Sequence, residues 1–119
     1  MAVITNGFLV TIMNLVKNDL NYIGIGAGST PQPTDTLLDA ELSRKTATEY
    51  IDGMTVVKEA YWSETELNGQ ILTNAGLFCN GATSSIGTGQ VAAADVINIV
   101  KDSTQTLTVS VEVTFEGVG

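Results

Sequence analysis

The chain has 119 residues, 13 of them acidic and 5 basic, giving a net charge of −8, with no histidine and a single cysteine. A domain of this size buries about 65% of the surface its unfolded chain exposes, so a core forms without staples, and a lone cysteine excludes an internal disulfide. The acidic balance repels nucleic acid and anionic lipid, and the missing imidazole removes the usual neutral-pH base, zinc ligand and Ser-His or Cys-His dyad.

The opening "MAVITNGFLVTIMNLVKNDL" lacks the basic start of a signal peptide, and Thr5, Asn6, Thr11 and Asn14 interrupt any apolar span. The expectation is a soluble chain, or part of a soluble assembly, with no membrane contact. Phe8, Ile12, Leu15 and Val16 fall at near-helical spacing, Thr5 or Asn6 can cap, and Lys17 suits the C-terminal end of the dipole, which predicts a helix over residues 6–17. Leu9 and Met13 widen its apolar stripe, as befits a helix packed on a sheet or on a neighbouring subunit. Residues 22–26 read as a short strand. Pro31 and Pro33 then impose an exposed loop, and Thr36 with Asp39 has the spacing of a capping box for a short turn.

From "MTVVKEAYW" onward the pattern is β. Its alternation puts Val57, Glu59 and Tyr61 on one face and Val56, Lys58, Ala60 and Trp62 on the other. Asn68-Gly69 and Asn80-Gly81 mark turns on either side of "ILTNAGLFC", and "VAAADVINIVKD" holds one or two strands after a small-residue loop. In "LTVSVEVTF", Leu107, Val109, Val111, Val113 and Phe115 alternate strictly with polar residues, so one side is core and the other wet. Six or seven strands with one helix and no βαβ alternation predict a single, mainly β domain over residues 1–119. It is an antiparallel β-sandwich or jelly-roll-like barrel over 21–119 with an N-terminal helix and arm over 1–20.

Chemistry-bearing patterns are scarce. Gly24, Gly26 and Gly28 run as G-x-G-x-G with no lysine between Lys17 and Arg44 and two prolines downstream, which fits neither a dinucleotide fingerprint nor a P-loop. The glycines are expected to let a strand bulge or lie close under other groups. Glu64 and Glu66 lack the spacing of a calcium loop, and Cys79 has no basic sequence neighbour to activate it. No catalytic, cofactor-binding or metal-binding residues are expected.

The pieces "NYIGIGAGSTPQPTDTLLDAEL", "NAGLF" and "DSTQTLTVSVEVTF" together resemble small structural proteins of tailed bacteriophages, over about residues 20–115. The sequence has "NAGLF" where that pattern reads "eagLF". The resemblance implies a non-enzymatic virion component, a capsid decoration or cement protein in first place and a tail-fibre, baseplate or receptor-binding part as the alternative. It would bind the major capsid protein or other virion proteins, without nucleic acid or membrane, as a homo-oligomer for which a trimer is suited. Candidate assembly contacts are Phe8, Ile12, Pro31, Pro33, Tyr61 and Trp62. A carbohydrate-binding β-sandwich with Tyr61 and Trp62 as an aromatic platform is the competing class.

Overall fold

In the computed structural model, which describes residues 2–116, Thr5 caps the first element: its hydroxyl accepts the Phe8 amide proton at 3.2 Å, and helix α1 runs Asn6–Lys17. The helix carries two apolar flanks, and the structure buries the one opposite to the stripe centred on Phe8 and Leu15. Met13 is buried, Leu9, Ile12 and Val16 are half-buried, and Val16 lies against the core, whereas Phe8 and Leu15 stay 55% and 69% exposed. The wide stripe is thus divided, one flank to the domain and one to solvent.

Seven strands follow: β1 Tyr22–Gly26, β2 Glu41–Thr46, β3 Thr48–Asp52, β4 Thr55–Trp62, β5 Ile71–Cys79, β6 Gln90–Val100 and β7 Leu107–Thr114. They form two antiparallel sheets, one in the order β2-β1-β5-β6 and one in the order β3-β4-β7. Ile23, Ile25, Leu72, Ala75 and Leu77 of the larger sheet face Ala60 and Trp62 of the smaller one, and Leu20, just after the helix, joins them. The fold is a mainly β sandwich with an N-terminal helix, as the alternation in the second half of the chain predicts.

Strands β2 and β3 depart from the sequence reading, which placed no strand between the one at residues 22–26 and "MTVVKEAYW". In β2 both faces are polar, yet its side chains are consumed by partners: Ser43 accepts the Trp62 indole proton at 2.8 Å, Lys45 meets Glu66 at 2.5 Å, and Arg44 pairs with Glu41. β3 is an exposed edge strand along its whole length. From β2 to β3 the chain passes between the sheets through the single residue Ala47, whose amide donates to the Asn21 carbonyl at 2.8 Å. The turn expected at Thr36 is not helical either. Asp39 instead takes the Ser29 amide and hydroxyl at 2.8 and 3.0 Å, which folds loop 27–40 back on itself.

The opposite side of the sandwich is built differently. β6 and β7 are consecutive, but each is the outer strand of its own sheet, and they do not pair with one another. The molecule also extends well beyond the sheets. Its extents are 54 × 28 × 23 Å and its radius of gyration is 15.6 Å, against about 13.5 Å for a compact chain of this length. Among the described residues no strand makes a broad contact with α1, which is held at its last turn. There the Lys58 ammonium, reaching from β4, donates to the Lys17 carbonyl at 2.8 Å, and the Asp19 carboxylate takes the amides of Asn80 and Gly81 at 2.7 and 3.2 Å.

Candidate assembly surfaces

The glycine run is a cradle for side chains of this chain itself. Gly24 and Gly26 lie on the outer face of the larger sheet, opposite the core-facing Ile23 and Ile25. A Cβ on Gly24 would collide with the Glu41 carboxylate and the Phe78 ring, one on Gly26 with Asn74 Oδ1, and one on Gly28 with Asp39. Glu41 and Arg44 stand three apart, which in a regular strand puts them on opposite faces. A register shift where β1 pairs β2 brings both to one face, with Gly24 opposite Arg44 and Gly26 opposite Glu41. The guanidinium then forms a fork, Nε and Nη2 donating to the two Glu41 oxygens at 2.8 and 2.9 Å. It stacks 3.8 Å over the Phe78 ring, and Nη1 donates to the carbonyls of Thr83 and Thr88. Every donor group of the guanidinium is engaged, so this cluster staples loop 81–89 to the sheet and leaves nothing for a ligand.

Residues 23–28 and 35–41, both within "NYIGIGAGSTPQPTDTLLDAEL", meet residues 74–78, "NAGLF", here. Asn74 completes the arrangement by donating to the carbonyls of Ser29 and Asp39 at 3.1 and 3.0 Å. Its Oδ1 has no hydrogen-bond partner and rests against Gly26.

Two surfaces remain uncovered. The first is the N-terminal arm, where Val3, Ile4, Phe8, Val10 and Leu15 are all exposed and residues 2–16 carry no charge. The second is the seam between β6 and β7, a crevice of about 390 Å³ lined by Ala75, Ala93, Ala94, Val96, Ile97, Val109 and Val111, with Asp95 and Glu112 at its rim. On β7 the alternation predicted from sequence is present, but the inward residues Leu107, Val109, Val111 and Val113 are only half-buried because no strand covers them on the β6 side. The seam was invisible in sequence, since alternation reports which way a side chain points and not whether anything lies over it.

The candidate contacts separate accordingly. Phe8 is exposed on the arm and Ile12 is half-buried between its two flanks. Pro31 and Pro33 line a second crevice of about 280 Å³ with Leu37 and the 91–94 segment of β6. This loop is braced, with the Gln32 amide on the Asp35 carboxylate at 2.8 Å and the Val91 amide on the Thr36 carbonyl at 2.8 Å. Tyr61 is exposed on the outer face of β4. Trp62 is a correction: it is 0% exposed in the core with its indole nitrogen bonded to Ser43, so it touches no partner and forms no platform with Tyr61, which points the other way.

All five basic side chains are engaged within the chain. Lys17 and Lys58 share Glu49 at 3.8 and 3.1 Å, Arg44 has Glu41, Lys45 has Glu66, and Lys101 is buried on Asn68 Oδ1 and the Asp102 carbonyl, both at 3.0 Å. The carboxylates of Asp39, Glu66 and Asp102 are held below the usual range, by the Ser29 amide, the Lys45 ammonium and the Thr104 hydroxyl respectively. Burial, and then the Asp19 charge, push the Cys79 thiol upward. Its alkylation by iodoacetamide at pH 8 is expected to run several-fold slower than that of a small free thiol, and a rate equal to the free thiol would contradict the assignment.

Among the described residues no three His, Cys, Asp or Glu side chains gather as a metal site, and no helix is long and apolar enough to cross a membrane. No protein-family profile matches the chain, and no curated protein matches it significantly in sequence.

Proposed function

We propose that this protein is a non-enzymatic structural component of a tailed-bacteriophage virion, acting as a capsid decoration or cement protein that binds the head through protein–protein contacts. The observation that carries the reading is the uncovered arm: a sandwich that satisfies all of its cations internally still holds out a helix that is uncharged up to Val16 and has an apolar flank in solvent. Exposed apolar surface of that extent is the mark of a contact surface. The phage-like stretches at residues 23–28, 35–41 and 74–78 add support, because they form one spatial unit around the Glu41–Arg44 pair, while the remaining piece is strand β7 of the other sheet. A small domain gains strength in such a role by repetition, since many weak contacts on a lattice multiply the effective affinity.

The braced Pro31–Pro33 loop supplies a preorganised second contact. Quantifying the chain in purified virions tests the reading: one copy number per capsid lattice site is expected. A handful of copies per particle would move it to the tail-fibre, baseplate or receptor-binding alternative, and its absence from particles would end the proposal.

A further inference from the structure

We infer that the arm of one copy packs antiparallel against the arm of a second copy across a two-fold axis at Thr11, with Leu15 of each helix seated over the partner's Gly7. This deepens the virion reading, which rests on the arm as a contact surface, by naming what the arm contacts. The purified chain tests it, so its failure is distinct from absence of the protein from particles.

The exposed face of the arm is complementary to itself. Ile4, Phe8 and Leu15 form an apolar ridge along it, and Gly7, Thr11 and Asn14 lie beside that ridge, all exposed on the side turned from the domain. A glycine weakens a helix, yet nothing in its own chain asks for one at position 7, where a Cβ would meet no atom within 4 Å. Open space above an exposed helix backbone is room for a side chain from outside. Residues 7 and 15 lie equally far from Thr11, so a two-fold axis there lays Leu15, the most exposed apolar side chain of α1, over the partner's Gly7 and Phe8 beside the partner's Asn14. The same knob and the same gap then interlock twice, as an isologous contact requires. Thr11, on the axis, is fit for burial because its hydroxyl already donates to the Gly7 carbonyl at 3.1 Å.

Charge selects the occupant. A protein of net charge −8 whose five cations are held within the chain is repelled by its own copies, and residues 2–16 are a stretch through which two copies can meet without bringing charges together. A like helix strands no carboxylate in the contact, whereas a basic partner would find nothing in the arm to pair with. The 12-residue helix is about 18 Å long. Antiparallel packing therefore sets the two domains at opposite ends of the pair, beyond the roughly 8 Å reach of their charges at physiological ionic strength, and opposes the two helix dipoles favourably. Val3, Ile4, Phe8, Val10 and Leu15 together expose on the order of 500 Å² of mostly apolar surface. Burying it on both copies gives about 1,000 Å² in total, the lower limit for a specific contact, so the pair is of micromolar strength.

Sedimentation equilibrium of the purified chain and three variants tests this. Wild type is expected to dimerise with a micromolar dissociation constant. Gly7→Leu should raise that constant at least about 100-fold by filling the gap, and Leu15→Ala about 10-fold by removing the knob. Combined in one chain, the two changes should return it to within about 10-fold of wild type, because knob and gap have then exchanged places. Both positions are exposed, so circular dichroism should show an intact fold. If Gly7→Leu unfolds, Gly7→Ala replaces it, with an expected weakening of about 10-fold. A wild-type chain that stays monomeric at high micromolar concentration would overturn the inference. So would a dimer that a folded Gly7 variant leaves unweakened, or a Gly7→Leu defect that Leu15→Ala does not repair.

Discussion

Replacing Glu41 with alanine is expected to destabilise the fold by about 3–5 kcal/mol, because it leaves a guanidinium in the interior with its principal acceptors gone. The Arg44 side chain is 0% exposed and that of Glu41 is 3% exposed, so water cannot substitute for the lost carboxylate without opening the sheet. Nη1 keeps its bonds to Thr83 and Thr88, but Nε and Nη2 lose theirs. Removing both charges together, as Glu41→Met with Arg44→Met, should cost far less than the single change, since no buried ion is stranded. Urea midpoints for Glu41→Ala and for the double variant measure this. A single-variant loss below about 1 kcal/mol would show that the pair is solvated and that loop 81–89 is not held by it.

Trp62→Ala is expected to cost a further large amount, about 3–5 kcal/mol, because it empties the largest fully buried side chain in the molecule. A small domain has only about 5–15 kcal/mol in total, so the variant should sit near unfolding at physiological temperature. Trp62→Phe retains most of the packing and leaves only the Ser43 hydroxyl short of a donor, for an expected loss of about 1–2 kcal/mol. Thermal unfolding by calorimetry separates the two. The same residue decides how a sugar-binding result is read. Loss of glycan binding in Trp62→Ala would report a damaged core, so the informative position on this strand is the exposed Tyr61.

What sequence could show depended on whether polar side chains were facing water or one another. β7 was legible because its threonine, serine and glutamate face outward, and α1 was legible because its cap and its periodicity agree. β2 was hidden because Ser43, Arg44 and Lys45 look like a solvated connection until Trp62 and Glu66 are brought to them from elsewhere in the chain and the register shift turns Glu41 to the face of Arg44. The glycine run could be read as a place of close approach, yet the groups that approach, Glu41, Asn74 and Asp39, come from 11 or more positions away in sequence. The two uncovered surfaces were the least legible. Phe8 was singled out, but Val109 and Val111 were assigned to the core, and only the splaying of β6 from β7 shows that this core is open on one side.

The internal engagement of all five cations has a consequence for crowding. Each copy carries a net charge of −8 with every cation already held within the chain, so neighbouring copies repel one another. Counterions shorten the reach of that repulsion to about 8 Å at physiological ionic strength and about 3 Å at 1 M, while apolar burial is not weakened by them. Salt is therefore expected to act on this protein in the opposite sense to its action on interfaces joined by ion pairs: it weakens the repulsion that keeps acidic copies apart, and dilution into low-salt buffer restores it.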